Sequence, residues 1–208
     1  MPGLAKKTDK HFTYDDYLAW PNDERWEIID GAAYAMSSPA VLHQDVVLSL
    51  TLTLGPLFKG KPCRFFIAPL DVVLSEDTVV QPDMLVVCDP KKITRTCVRG
   101  APDLAVEILS PSSCSYDRLL KFKRYADAGV REYWIVTPDM ASIEVFTLDN
   151  GAFRLHDGFL QQERLTSAVF PEVSFEMSAV FTELPEKGIL VAKESSEMPE
   201  CVRKELGL

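Results

Sequence analysis

Residues 79–125 read VVQPDMLVVCDPKKITRTCVRGAPDLAVEILSPSSCSYDRLLKFKRY. This stretch places two acids, Asp83 and Glu107, inside apolar, β-branched runs, and a lysine, Lys121, on a predicted helix. A charged group in an apolar strand costs free energy unless it is paired or binds a metal. Two such acids on neighbouring strands, with a nearby cation, have the composition of a hydrolytic Mg²⁺ site.

Length and composition indicate one globular domain. The chain has 208 residues, of which 47% are hydrophobic and 25% charged; a chain of this length forms one well-packed domain and is short for two. The net charge of -9 argues against a protein that coats nucleic acid through bulk electrostatics. A local basic surface can still steer DNA to an acidic metal site.

The lack of a targeting signal and the spacing of the cysteines predict a cytoplasmic protein. The first residues include no apolar segment of a secretory signal, and no apolar run approaches the roughly eighteen residues of a membrane span. The cysteines are odd in number and have no CxxC spacing, so we expect free thiols in a reducing cytoplasm. They are Cys63, Cys88, Cys97, Cys114 and Cys201.

Two local signals define the N-terminal elements. Thr13 is a good N-cap for a short helix that ends before Pro21. The dipeptide Asp30-Gly31 inside RWEIIDGAAYAM predicts a type I′ hairpin, with Glu27 on its first strand.

The central elements alternate between strand and helix. Residues 40–58 predict a buried helix by length, although their Val, Leu and Thr content leaves a strand possible. Residues 63–74 predict a strand with a bend at Pro69. Strands are also predicted at 79–87 and 101–113.

The later elements are predicted from capping and turn residues. A helix is predicted over 116–128, with Ser115 as N-cap and Gly129 as C-cap. Residues 131–137 predict a strand, and 143–155 a hairpin around Asn-Gly. The paired runs in the segment 159–184 predict further short strands.

This order of elements, with the Pro82-Asp83 dipeptide, resembles the PD-(D/E)xK nuclease superfamily. It resembles more closely the Uma2 (DUF820) family of restriction-endonuclease-like proteins, over roughly residues 12–184. The motifs that carry the resemblance are WEIIDG at 26–31, His43 in SPAVLHQ, VVQPDMLVVCDP at 79–90, GAPDLAVEILSPSS at 100–113, Asp117, Lys121 and Tyr125 in YDRLLKFKRY, and AGVREYWIV at 128–136.

The resemblance implies an α/β fold with a restriction endonuclease-like core, in which helices flank a mixed β-sheet. We expect an N-terminal hairpin, a C-terminal β extension and a single domain at 12–184. Residues 1–11 would be a leader and 185–208 a charged tail. The implied activity is Mg²⁺-dependent phosphodiester hydrolysis of DNA, with Mn²⁺ as a substitute for Mg²⁺.

The resemblance also implies the site residues. Asp83 and Glu107 would be metal ligands, and Glu27 would add a third carboxylate. The lysine of the ExK motif is replaced by Leu109, and Lys121 on the following helix is the matching cation.

Two further groups complete the predicted site. The carbonyl of Ile108 is a candidate metal ligand, because the peptide beside a strand carboxylate points into the same cleft. His43 is a candidate for contacting the substrate or supporting a metal ligand, although a histidine on an apolar helix is more often a core residue.

Simpler structural interpretations compete with these roles. Asp83 could be a turn residue after Pro82, and Glu27 could form a surface ion pair on its hairpin. Lys121 could belong to a solvated basic helix face. Asp103, in a second Pro-Asp dipeptide, lies about 13 Å from Glu107 along the strand, which is too far to share a metal, so we assign it a structural role.

Seven basic residues offer a local surface for DNA, and the hairpin at 143–155 offers an edge for a homodimer. Three functions remain open: a metal-dependent DNA endonuclease, a catalytically weak binding or regulatory module on the nuclease fold, and a metal-dependent hydrolase of a small phosphate ester. The basic residues are Lys91, Lys92, Arg95, Arg99, Arg118, Lys123 and Arg124.

Overall fold

The structure, a computed structural model, describes residues 10–21, 24–110 and 120–181. Within these ranges the chain forms three α-helices and thirteen strands. Their bounds are α1 Tyr14–Leu18, β1 Trp26–Ile29, β2 Ala32–Ala35, α2 Val41–Phe58, β3 Arg64–Ile67, β4 Val72–Ser75, β5 Thr78–Val80, β6 Met84–Val87, β7 Val98–Arg99, β8 Leu104–Ile108, α3 Phe122–Ala128, β9 Glu132–Thr137, β10 Ser142–Asp149, β11 Ala152–Leu160, β12 Arg164–Thr166 and β13 Ser174–Glu176.

The central layer is a six-stranded mixed sheet of order β11-β10-β9-β8-β6-β3, in which only β8 and β9 run parallel. Side chains alternate between its two faces. Met84 and Val86 pack in the core cluster that contains the inner face of α2, whereas Leu85 and Val87 pack in the cluster that contains Tyr125 of α3. The predicted core, a mixed sheet flanked by helices, is confirmed.

A second sheet of five strands, in the order β2-β1-β5-β4-β7, carries the N-terminal hairpin. The hairpin turns at Asp30 and Gly31, whose φ values of 52° and 74° are those of the predicted type I′ turn. β1 joins the rest of this sheet through β5, with Ile28 opposite Val79.

Two predicted single strands are each divided between the two sheets. The stretch 63–74 is β3 of the six-stranded sheet and β4 of the five-stranded sheet, with a cis Ala68-Pro69 peptide between them. The stretch 79–87 is likewise β5 and β6. Pro82 has no N–H group for a strand ladder, so the pairing ends there and the chain changes sheet.

The remaining local predictions hold where the structure describes them. Thr13 caps α1 through a complete capping box, and Gly129 caps α3 with φ 91°. β10 and β11 form the predicted hairpin, and β12 pairs with β13. The predicted Ser115 cap, Asp117, the first nine residues of the leader and the 185–208 tail lie outside the described residues.

The prediction of free thiols is wrong for one pair, because Cys63 and Cys88 form a disulfide. The antiparallel register of β3 and β6 sets Arg64 opposite Val87. The next residues outward are therefore Cys63 and Cys88, which face each other across the two strands. Cys97 is a buried free thiol. Localisation to the cytoplasm stays a prediction and loses the support of the thiols.

Helix α2 is long and apolar enough to span a bilayer by length and composition, so the prediction that no run approaches a membrane span is wrong for this segment. Packing accounts for one face of this helix, because Val46, Leu50, Leu54 and Phe58 lie in the main core cluster. The opposite face of the helix is exposed and includes Leu52.

We expect Leu50→Ala to lower the free energy of unfolding by about 2–5 kcal/mol, because it opens a cavity under a fully buried position. Leu52→Ala, on the same helix and 67% exposed, is the matched control and should change it by less than about 0.5 kcal/mol. Urea unfolding followed by circular dichroism measures both. Equal losses of unfolding free energy in the two variants would contradict the orientation of α2.

Candidate active site

One cavity of about 410 Å³ lies where α2 and the two larger sheets meet. All six residues predicted for the site line it, although they are far apart in the sequence. They are Glu27 of β1, His43 of α2, Asp83 between β5 and β6, Glu107 and Ile108 of β8, and Lys121 immediately before α3.

The centre of the cavity wall is a buried group of three charges. The Lys121 ammonium nitrogen Nζ lies 2.8 Å from Glu27 Oε1 and 3.0 Å from Glu107 Oε1. The three side chains are only 3–4% exposed. Neither the solvated helix face considered for Lys121 nor the surface ion pair considered for Glu27 therefore describes this structure.

Each of the two glutamates accepts a further hydrogen bond. The backbone N–H of Gln81 donates to Glu27 Oε1 at 2.7 Å, and the Tyr125 hydroxyl donates to Glu107 Oε1 at 2.7 Å. Burial raises the pKa of Tyr125 well above its ordinary value, and the nearby charge of Glu107 raises it further. Tyr125 therefore stays protonated and acts as a hydrogen-bond donor.

Tyr125 had no assigned role in the predicted site. The sequence signal that could have placed Tyr125 in the site was its position four residues after Lys121, since residues at that spacing share one face of a helix.

Asp83 is held by two groups at the junction of the sheets. Its Oδ2 accepts a 2.7 Å hydrogen bond from the backbone N–H of Ile108, and its Oδ1 lies 3.2 Å from His43 Nε2. Ile108 thus contacts Asp83 through its N–H group, and its carbonyl remains only a predicted ligand. Asp83 lies at a bend before β6, so part of the turn interpretation also holds.

His43 faces the cavity rather than the apolar core. Its Nδ1 is the one buried side-chain nitrogen or oxygen in the described part of the chain that has no hydrogen-bond partner. A buried polar atom without a partner costs about 1–3 kcal/mol. Such an atom needs an explanation, and a functional role is one of those known.

Comparison with known proteins identifies the family. The model of the Uma2 family, described as "Putative restriction endonuclease", matches residues 14–178. The chain belongs to the Uma2 family. The resemblance predicted from the motifs is therefore confirmed, and so is membership of a nuclease family at the level of that description.

Two relatives extend the comparison. The Uma2 chain is 29% identical over 136 residues to "Uncharacterized protein slr1290" of Synechocystis sp., a match that spans 64% of this chain and 72% of the relative. A crystal structure described as a "putative nuclease belonging to DUF820", from Anabaena variabilis, aligns with a TM-score of 0.67 at 20% identity. The alignment covers 82% of this chain and 97% of the Anabaena variabilis chain, which confirms the fold.

The donor set of the Uma2 cavity fits a hard divalent cation. Asp83 and Glu107 offer carboxylate oxygens, the ligands that Mg²⁺ prefers, and Mg²⁺ usually takes one or two carboxylates and fills its other positions with water. In the described ranges no group of three or more His, Cys, Asp or Glu side chains forms a ready metal cage. The fit is therefore to a site of two carboxylates, with Glu27 paired to Lys121.

Asp103 has the structural role assigned to it. Its Oδ2 accepts a hydrogen bond from the Cys88 N–H at 2.7 Å and its Oδ1 one from Arg131 at 3.2 Å. It does not line the cavity. Asp103 thus ties β8 to the ends of the neighbouring strands β6 and β9.

The predicted basic surface does not form the wall of this cavity. Arg118 lies outside the described residues, and none of the other six lines the cavity. Arg124, for example, pairs with Asp30 and Asp127. The cations that do line the cavity, among the residues the structure describes, are Lys121 and Arg25. Arg25 was missed because it stands alone in the sequence, outside any basic cluster.

We expect Lys121→Met to lower the free energy of unfolding by about 3–5 kcal/mol, because it leaves two buried carboxylates without their shared cation. Lys123→Met is the matched control on the same helix, where the lysine is exposed and pairs with Asp127. It should change stability by less than about 0.5 kcal/mol. Chemical denaturation of both variants measures the difference, and a Lys121→Met protein as stable as the parent would refute the buried ion group.

Proposed function

We propose that this Uma2 protein is a metal-dependent DNA endonuclease. The observation that carries the proposal is the convergence of Asp83, Glu107 and the buried Glu27–Lys121 pair on one cavity. These groups come from separate elements of the fold and meet on one cavity wall. The nuclease family and fold support the reaction class.

In this proposal Asp83 and Glu107 hold Mg²⁺, with Mn²⁺ as a substitute and the Ile108 carbonyl as a further ligand. The ion, when bound, supplies charge neutralisation at the phosphate and lowers the pKa of a coordinated water. The Ile108 N–H fixes Asp83 Oδ2, and Tyr125 fixes Glu107 Oε1. Both carboxylates thus keep one orientation, which spares the cost of reorganising them at each turnover.

Lys121 supplies the ammonium that the ExK motif lacks. Leu109, at the motif position, is buried in the apolar cluster beside α3. Lys121 reaches Glu107 from the start of that helix and lines the cavity. Its role in the proposal is to orient Glu107 and to stabilise negative charge that develops on the phosphate.

His43 is proposed to support Asp83 and to contact the substrate. Its Nε2 faces Asp83 Oδ1 and its Nδ1 has no partner in the described structure. Because Nδ1 is buried, the proposed contact with the substrate rests on the place of the His43 ring in the cavity wall.

Two other functions fit the same cavity. A metal-dependent hydrolase of a small phosphate ester is favoured by the cavity volume of about 410 Å³ and by the position of the described basic cluster away from the cavity wall. A catalytically weak binding or regulatory module is favoured by the loss of the ExK lysine at Leu109.

We also propose a homodimer through the late hairpin. β11 is an edge strand of the six-stranded sheet and exposes Leu155 and Leu160. The free side of an edge strand can pair with a second copy of the chain.

With Mg²⁺ or Mn²⁺, we expect the purified protein to nick supercoiled plasmid, and EDTA to stop the reaction. Asp83→Asn should lower the rate at least about 100-fold, because it removes a ligand charge from the metal. Asp103→Asn is the matched control, since it changes the second Pro-Asp dipeptide outside the cavity, and it should retain the parent rate. Plasmid conversion is followed on agarose gels.

Nicking that persists in EDTA, or that Asp83→Asn leaves unchanged, would contradict the proposal. A parent protein that leaves plasmid intact but hydrolyses p-nitrophenyl phosphate with Mg²⁺ would favour the small-ester hydrolase. Metal binding without either turnover would favour the binding module.

A further inference from the structure

Arg25 is a second cation in the cavity, and its surroundings differ from those of Lys121. It lies just before β1, is exposed, and lines the cavity. Lys121 is buried between two carboxylates, whereas no ion pair of Arg25 is recorded among the described residues. The charge of Arg25 is therefore accessible, and within the described ranges no acid pairs with it.

A neutral amide holds the Arg25 side chain in place. Arg25 Nε and Nη2 both donate to Gln81 Oε1, at 3.1 and 2.8 Å. The Gln81 side chain is itself anchored, because its Nε2 donates to Asp71 Oδ1 at 2.8 Å and to the Tyr17 hydroxyl at 3.2 Å. The guanidinium is thus ordered before any ligand binds, so little rotamer entropy is lost on binding.

The bonds to Gln81 leave part of the Arg25 guanidinium available for other partners. A guanidinium has five N–H donors, and the recorded bonds use one from Nε and one from Nη2. The remaining donors form no bond that the described structure records. Paired N–H groups on a planar cation match the oxygens of a phosphate.

Gln81 also connects Arg25 to the buried charges. While its side chain holds Arg25, its backbone N–H donates to Glu27 Oε1. Arg25 and the Glu27–Lys121 pair are therefore fixed by one residue on the same wall. Three carboxylates line the cavity and repel a polyanion, so an accessible cation on that wall offsets part of the repulsion.

We propose that Arg25 is a phosphate-binding residue of the cavity, which holds a backbone phosphate of the nucleic acid, and that Gln81 positions its guanidinium. The identity of the ligand rests on the proposed nuclease function. The simpler alternative is that Arg25 only fastens the start of β1 to Gln81.

The test is binding of a fluorescently labelled DNA duplex to the full chain in EDTA, where no cleavage occurs, followed by anisotropy over a range of salt concentrations. Arg25→Ala should weaken binding about tenfold and reduce the slope of log affinity against log salt by about one. Arg25→Lys keeps the positive charge but loses the paired N–H donors of the planar guanidinium. It should restore the salt slope and only part of the affinity.

Arg164→Ala is the matched control, because Arg164 is an exposed arginine of β12 that pairs with Glu176 and does not line the cavity. It should bind DNA like the parent. Thermal unfolding of each variant, followed by circular dichroism, establishes that it is folded. If Arg25→Ala does not fold, Arg25→Lys decides alone, and parent-like affinity for that variant would overturn the proposal.

The outcomes separate this inference from the nuclease proposal. A parent that binds DNA through Arg25 but never cleaves it would uphold the phosphate site and refute the nuclease. A parent that cleaves, with binding unchanged in Arg25→Ala or reduced equally in Arg164→Ala, would overturn the Arg25 site alone. A parent that binds no duplex at low salt would also overturn it.

Discussion

The ammonium of Lys121, buried between Glu27 and Glu107, is the interaction on which the rest of the site depends. Glu27 belongs to the five-stranded sheet, Glu107 to the six-stranded sheet, and Lys121 precedes the helix that packs on the second of these. Buried charges are tolerated only when they are paired and hydrogen-bonded. Each carboxylate therefore needs the lysine, and the lysine fixes the two sheets relative to one another.

The chain passes twice between the sheets at this junction, and proline marks both passages. Pro69 separates β3 from β4, and Pro82 separates β5 from β6. The two passages are joined by a 2.9 Å hydrogen bond from the Ala68 N–H to the Asp83 carbonyl. Asp83 is held at this junction because a regular strand ends there, and its carboxylate faces the cavity instead of a neighbouring strand. The interruption of strand pairing is thus what leaves the Asp83 carboxylate free to face the cavity.

Local features could be predicted from the sequence, whereas long-range pairing could not. The Thr13 cap and the Asp30-Gly31 turn depend on neighbouring residues, so their signals are complete within a few positions. The division of two predicted strands between sheets, and the Cys63–Cys88 disulfide, depend on which strands pair. The family motif brought the six site residues together, but it did not include Arg25, and it included Tyr125 without a role. The role of Arg25 follows only from Gln81, a partner distant in the sequence. Tyr125 has a local signal in its spacing from Lys121, but its bond to Glu107 depends on the fold.

The most direct test of this account is a crystal of the protein soaked in Mn²⁺, with anomalous diffraction used to locate the ion. We predict a single strong peak in the cavity, within ligand distance of carboxylate oxygens of both Asp83 and Glu107, and the loss of that peak in crystals of Asp83→Asn. Lys121 should remain between Glu27 and Glu107. An empty cavity in the soaked crystal, or an ion bound away from Asp83 and Glu107, would contradict the metal-dependent site.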